Sequence, residues 1–82
     1  MIFVYAIYSK NFNRIYVGQS ENVEKRLKEH NSGQTKSIKA YIPWELFYQE
    51  ECSDRIEARK KEIYYKSGVG KEKLKLLLSQ NF

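Results

Sequence analysis

The chain begins with an uninterrupted run of β-branched and aromatic side chains, Ile2–Tyr8 (IFVYAIY). Because the side chains of a strand point alternately to its two faces, apolar residues at both parities predict a strand that is buried on both sides. The polar segment Ser9–Arg14 (SKNFNR) follows, and Ile15–Gly18 (IYVG) resumes strand character. Two short strands around a polar turn predict an antiparallel hairpin, whose first strand needs cover on both faces.

A helix is predicted to follow the hairpin. Ser20 is suited to cap its N-terminus, and Glu21 and Glu24 fall in the first turn, where the helix dipole favours acidic side chains. Helical character continues to about Asn31, and Gly33 is a natural end.

One face of this helix combines apolar residues with two side chains that could do chemistry. Val23, Leu27 and His30 recur at helical spacing, and Arg26 is a helical neighbour of both Val23 and His30. Arg26 and His30 are therefore expected beside the buried stripe. The same pattern also suits an arginine whose aliphatic stem packs on the core, and a histidine that interacts with the dipole at the helix end.

The second half of the chain is predicted to add one strand and two helices. The segment Gln34–Ala40 is polar and basic, typical of a loop with one helical turn, and Pro43 ends it. Ser53 or Asp54 can cap a helix that ends before Gly68 and Gly70. The predicted elements are a strand over Trp44–Glu51, a helix over Arg55–Lys66 and a helix over Lys71–Ser79.

The resulting order is β-β-α-(α)-β-α-α, in which a helical turn stands in brackets. It predicts an α+β fold, a three-stranded and mostly antiparallel sheet flanked by helices, because so few strands are stable only when helices pack on them. The length of 82 residues predicts a single domain over residues 1–82.

Composition limits the kinds of partner and site. The net charge of +5 favours an anionic partner, although many small basic proteins bind none. The single cysteine, Cys52, excludes an internal disulfide, and one histidine excludes a zinc cluster. The first apolar run lacks the features of a signal peptide and is too short to span a membrane. We therefore expect a cytoplasmic protein without a membrane partner.

Three further polar side chains are candidates for a site, each with an ordinary structural alternative. Tyr8 and Tyr16 are predicted to approach each other across the hairpin, although tyrosines are common in sheets that have no active site. Glu62 lies four residues before Lys66, the spacing of a helical surface ion pair. Periodicity alone therefore does not identify a site.

Five short motifs follow one another over nearly the whole chain, namely AIY (Ala6–Tyr8), YVG (Tyr16–Gly18), RLKEHNSG (Arg26–Gly33), PWELFYQE (Pro43–Glu50) and EARKKE (Glu57–Glu62). Their order resembles the GIY-YIG nuclease family, in particular its small single-domain members of the excision-nuclease N-terminal type. Ala6 stands where the family name has a glycine.

The resemblance implies a metal-dependent endonuclease that hydrolyses phosphodiester bonds, with one strand cut at each active site. Glu62 is implied to hold Mg²⁺, which Mn²⁺ could replace, since Mg²⁺ commonly uses one or two carboxylates. Tyr8 would act as general base or orient the attacking water, and Tyr16 would bind the phosphate or the water. Arg26 would neutralise charge on the phosphate, and His30 would assist through the phosphate or through Tyr8.

The same resemblance implies nucleic acid as the partner, DNA more than RNA, and suggests DNA repair as a context. Cleavage would be structure-selective or weakly sequence-specific; a protein partner or a dimer is not indicated. Two alternatives stay open, a non-catalytic nucleic-acid-binding module of the same fold and a small scaffold protein that is basic only for solubility. Candidate backbone contacts are Lys25, Lys36, Lys39 and Lys66, with Lys28, Arg59 and Lys60 as further candidates.

Overall fold

The computed structural model describes residues 1–81, and the side chains of residues 1–80. Position 82, the last residue of the predicted domain, lies outside the described residues. The order of elements confirms the predicted α+β fold. The elements are β1 (Ile2–Ser9), β2 (Arg14–Ser20), α1 (Val23–Asn31), a 3₁₀ turn (Lys39–Tyr41), β3 (Glu45–Cys52), α2 (Arg55–Lys66) and α3 (Gly68–Asn81).

The sheet has the order β2-β1-β3, and both strand pairs are antiparallel. The central strand β1 is buried on both faces, as its sequence predicts. Val4 and Ala6 belong to a core cluster that α2 and α3 complete, and we call this side the α2–α3 face. Tyr5 and Ile7 belong to a second cluster, which includes Val23 of α1, and we call that side the α1 face.

The first helix begins later than predicted. Asn22, not Ser20, is the N-cap, and its side chain accepts a hydrogen bond from the backbone N–H of Lys25 at 3.0 Å. Ser20 still belongs to β2, and its Oγ accepts from the backbone N–H of Asn22 instead. The helix ends at Asn31, as predicted, and Gly33 follows with a φ of +86° that favours glycine.

Helix α2 has the predicted bounds, and a local cap stabilises its N-terminus. The Asp54 side chain accepts from the Glu57 backbone N–H at 2.8 Å, and Glu57 accepts in return from the Ser53 backbone N–H. Ala58 and Tyr65 are buried on the side that faces the sheet. Glu62 lies between them at helical spacing, so the same packing holds its side chain toward the sheet.

Helix α3 begins at Gly68, three residues before the predicted start at Lys71. The prediction treated Gly68 and Gly70 as helix-ending residues, but both lie inside the first turn of α3. A Cβ at Gly70 would overlap the carbonyl oxygen of Tyr64, so this glycine permits the close approach of α3 to the end of α2. Among the described residues, no helix is both long enough and apolar enough to cross a membrane.

Candidate active site

The register of the hairpin separates the two tyrosines that the sequence analysis paired. Tyr16 lies opposite Ile7, whereas Tyr8 lies opposite Ile15. Because successive side chains alternate between faces, Tyr16 points to the α1 face and Tyr8 to the α2–α3 face. The predicted approach of Tyr8 and Tyr16 is therefore wrong, and the Tyr8 hydroxyl instead donates to Asn13 Oδ1 at 3.2 Å.

Tyr5, which the sequence analysis did not single out, lies beside Tyr16. It pairs with Gly18 across the hairpin, two positions along β2 from Tyr16 and on the same face. A Cβ at Gly18 would lie 2.7 Å from Tyr5 Oη and 3.3 Å from Tyr16 Cε1. The two rings thus converge on the space above Gly18, which only a residue without a side chain leaves open.

His30 joins this pair from α1. It is fully buried, and its Nε2 is 2.7 Å from Tyr5 Oη. Its ring stands edge-on to Tyr16, with ring centroids 5.3 Å apart. Burial, and then the positive charge of Arg26, lower the pKa of His30 below its ordinary value, so its imidazole is neutral at neutral pH.

Arg26 brings a permanent positive charge to the same phenol. Burial and the neighbouring Tyr16 raise the pKa of Tyr5 to about 12, although a hydrogen bond and the charge of Arg26 oppose this shift. The guanidinium is also tied to Glu29, with Nη1 and Oε1 3.1 Å apart. Since it carries five N–H groups, these contacts leave donors for an anion.

Glu62 extends from α2 toward the edge strand β2, where it contacts Gln19. Its Oε1 accepts from Gln19 Nε2 at 2.9 Å, and its Oε2 lies 2.7 Å from Lys66 Nζ. Burial would raise the pKa of Glu62, but the hydrogen bonds from Lys66 and Gln19 outweigh it and hold the pKa below the ordinary range. Its negative charge acts on the Tyr5 phenol, so the carboxylate is electrostatically part of the cluster.

The surroundings of Glu62 fit a hard divalent cation held by a single carboxylate. The side-chain oxygen of Gln19 is buried next to it and has no hydrogen-bond partner among the described residues. The exposed Lys66 is the present partner of Glu62 Oε2, and its flexible side chain can yield to a cation. No group of three or more metal-binding side chains occurs in the described part of the chain, so a transition-metal cluster is not supported there.

The predicted basic contacts surround the cluster unevenly. Lys25 lines a concave surface beside Arg26, and Lys66 is paired with Glu62. Lys36 and Lys39 are exposed in the segment that follows α1. Of the further candidates, Lys28 is paired with Glu24 at 3.9 Å, whereas Arg59 and Lys60 are exposed on α2.

The structure thus brings together Tyr16, Arg26, His30 and Glu62 of the predicted site, and excludes Tyr8 from that group. Three further residues of the cluster were not predicted from the sequence: Tyr5, Gln19 and Thr35, the second partner of His30. Tyr5 could have been found from the hairpin, because a turn centred between positions 11 and 12 places position 5 opposite Gly18.

The family model of the GIY-YIG catalytic domain matches residues 1–75. A UPF0213 protein of Staphylococcus saprophyticus is 36% identical over 76 residues, which cover 92% of each chain. A UPF0213 protein of Clostridium perfringens is 34% identical over 82 residues, or 99% of this chain and 87% of the relative. UPF0213 protein YazA of Bacillus subtilis is 36% identical over 72 residues, or 87% of this chain and 72% of the relative. No solved structure matches the chain.

Proposed function

The chain belongs to the GIY-YIG catalytic-domain family, and from this membership we propose that it is a divalent-metal-dependent endonuclease that nicks DNA. The observation that carries the proposal is the convergence of Tyr5, Tyr16 and His30 around Gly18. The positive charge of Arg26 acts on the Tyr5 phenol of this cluster. A phosphodiester bound beside this cluster would meet hydroxyl groups and a fixed cation, which are groups that can stabilise the charge developing in phosphate-ester hydrolysis.

Tyr5 takes the role of base that the family resemblance first suggested for Tyr8. Its hydroxyl lies at the centre of the cluster, where it can accept a proton from an attacking water. The Tyr16 hydroxyl donates a hydrogen bond to a phosphate oxygen. Arg26 neutralises the charge that develops on the phosphate, and its ion pair with Glu29 keeps the guanidinium oriented before substrate binds.

Glu62 is the residue that would hold Mg²⁺, or Mn²⁺ in its place, with Gln19 as a neighbouring oxygen donor. Bound there, the cation would polarise a phosphate oxygen as a Lewis acid. When the cation binds, Lys66 would leave its ion pair with Glu62 and contact a phosphate of the DNA backbone. This lysine would then have a partner both without and with the cation.

The test compares three variants in a nicking assay on supercoiled, branched and single-stranded DNA, with and without Mg²⁺. Tyr5→Phe and Glu62→Gln each remove one functional group of the cluster and are expected to lower the rate by roughly 10²–10⁴-fold. Tyr8→Phe is the matched substitution on the opposite face of the same strand, and its rate should stay within about twofold of wild type.

The outcomes separate the competing assignments. A rate loss in Tyr8→Phe equal to that in Tyr5→Phe would return the role of base to Tyr8. Wild-type protein that binds DNA in a salt-dependent way, yet cleaves neither DNA nor RNA with Mg²⁺ or Mn²⁺, would instead identify a non-catalytic binding module.

A further inference from the structure

Thr35 lies against the buried histidine of the cluster from a turn that follows α1. The backbone N–H of Gly33 donates to the His30 carbonyl at 3.2 Å, and the positive φ of Gly33 turns the chain back over the end of the helix. This turn brings Thr35 Oγ1 to 2.7 Å from His30 Nδ1. Both ring nitrogens of His30 are therefore hydrogen-bonded inside the protein, Nδ1 to Thr35 and Nε2 to Tyr5.

A neutral imidazole carries one proton, so one of these nitrogens donates and the other accepts. Two arrangements fit the distances. Either Nδ1–H donates to Thr35 and Nε2 accepts from the Tyr5 hydroxyl, or Nε2–H donates to Tyr5 and Nδ1 accepts from the Thr35 hydroxyl. The two differ in a functional respect, because only the first leaves Nε2 able to take a proton from Tyr5.

The positive charge of Arg26 favours the first of them. This charge acts on the Tyr5 phenol, and a cation attracts the phenolic oxygen and repels the phenolic hydrogen. The phenolic proton is then directed to His30 Nε2, which is 2.7 Å from the Tyr5 oxygen. Nε2 consequently accepts, the imidazole proton lies on Nδ1, and Thr35 Oγ1 accepts from it.

We propose that Thr35 is a positioning residue, which holds His30 in the Nδ1–H form so that Nε2 can receive the phenolic proton of Tyr5. This inference rests on the proposed nuclease function. As water attacks phosphorus, a water O–H bond breaks and its proton passes to the Tyr5 oxygen, while the Tyr5 proton passes to His30 Nε2. The new O–P bond forms, and the bond to the leaving oxygen breaks with its electron pair. The leaving oxygen takes a proton from solvent, and His30 later returns its proton to solvent.

This route explains how a buried phenol can serve as a base at neutral pH. Tyr5 keeps its proton there, since burial places its pKa about 2 above the ordinary value of 10.0. It can accept a second proton only as it gives up the first, and His30, held neutral, is the adjacent acceptor. His30 is the terminal acceptor, and Thr35 acts only through it.

His30 is the only histidine of the chain, so its tautomer can be read directly from a long-range ¹H–¹⁵N NMR correlation of the whole protein without DNA or metal. Wild type should show the Nδ1–H form at pH 7.5. Thr35→Val keeps the shape of the side chain but removes the hydroxyl, and should shift the population toward Nε2–H. Thr35→Ser keeps the hydroxyl and should retain the wild-type tautomer.

Kinetics then connect the tautomer to catalysis. Thr35→Val should lower kcat about tenfold with KM unchanged, as expected for a residue that acts only in the reaction step, and Thr35→Ser should restore the rate. An Nε2–H tautomer in wild type would overturn the inference, as would full kcat in Thr35→Val with the tautomer shifted. The wild-type spectrum and Thr35→Ser test the assignment even if Thr35→Val fails to fold.

Failure of the parent proposal would look different. If wild type shows the Nδ1–H form yet cleaves no nucleic acid, the nuclease function fails and takes the catalytic role of Thr35 with it. The assignment of Nδ1 as donor and Nε2 as acceptor in His30 would still hold in that case, because the NMR measurement involves no substrate.

Discussion

Gly18 lies where the rings of Tyr5 and Tyr16 meet, and this single position tests the geometry of the whole cluster. In Gly18→Ala the new Cβ would lie 2.7 Å from Tyr5 Oη and 2.9 Å from its Cζ, so the phenol has to move. We expect the free energy of unfolding to fall by about 1–3 kcal/mol, the usual cost of overpacking, and nicking to fall at least about tenfold. Urea unfolding and the nicking assay measure the two effects.

The control for Gly18→Ala is the same substitution in a Tyr5→Ala background. Removal of the ring removes the overlap, so Gly18→Ala should then change the free energy of unfolding by less than about 0.5 kcal/mol. An equal loss of stability in both backgrounds would show that the cost lies in the backbone of β2 and not in the contact with Tyr5.

The burial of His30 predicts a pH dependence of stability. Its pKa is lowered in the folded protein by burial and by Arg26, with Glu29 opposing the shift, so the unfolded chain binds the proton first as pH falls below ~6.5. The free energy of unfolding should therefore be highest above that pH and decline below it, with a slope of up to about 1.4 kcal/mol per pH unit for this group.

Urea unfolding at pH 7.5 and pH 5.5 checks this, with His30→Gln as the comparison. The wild type should lose about 1 kcal/mol more than the variant between the two pH values. Parallel losses in both proteins would mean that the folded state accommodates a charged His30, contrary to its burial beside Arg26.

The pairing of Tyr5 with Tyr16 on one face could have been derived from the sequence, but not from the motif alone. The motif match favoured Tyr8, the last aromatic residue of the first strand. The predicted turn, Ser9–Arg14, already implied that Tyr16 lies opposite position 7, and a strand then puts position 8 on the other face. By contrast, the contacts of Gln19 and Thr35 depend on how separate elements dock, which no local pattern encodes.

At the scale of elements, the sequence predicted the bounds of α2 but not those of α3. Asp54 and Glu57 form a local cap, so the start of α2 is determined by residues close in the chain. Gly68 and Gly70 are also typical of helix ends, yet both are helical here. Tertiary packing outweighs the low helix propensity of glycine here, because α3 approaches the end of α2 too closely for a side chain at Gly70.

This contact predicts a sharp difference between two glycines of one helical turn. An alanine at Gly70 would overlap the Tyr64 carbonyl and lie 2.7 Å from Tyr65 Cα, and backbone atoms cannot rotate away. Gly70→Ala should lower the free energy of unfolding by about 3 kcal/mol or more. Gly68 has open space around it, so Gly68→Ala should change it by about 0.5 kcal/mol or less. Equal urea midpoints for the two variants would contradict the close packing of α3 on α2.

At the scale of the whole molecule, the sheet separates an apolar core from the candidate site. The α2–α3 face carries a largely apolar core that includes Val4, Ala6 and Leu74, whereas the α1 face carries Tyr5, Tyr16 and His30. Glu62 links the two, since it belongs to a helix of the first side and its charge acts on the Tyr5 phenol of the second. Nucleic acid is therefore expected on the α1 face and at the β2 edge, so basic residues on the two sides should contribute unequally to binding.

Two double variants that lower the net charge by the same amount test this expectation. Lys36 and Lys39 lie in the segment after α1, which packs on the α1 face through Thr35 and Ile38. Lys71 and Lys73 belong to α3 on the opposite side of the sheet. If the first pair contacts phosphates, the slope of log K against log salt for duplex DNA should become shallower by about 1.8 in Lys36→Ala/Lys39→Ala, or about 0.9 per contact. Lys71→Ala/Lys73→Ala should keep the wild-type slope. Fluorescence anisotropy in a Glu62→Gln background measures binding without cleavage, and equal slopes in the two double variants would mean that net charge, not a binding face, governs affinity.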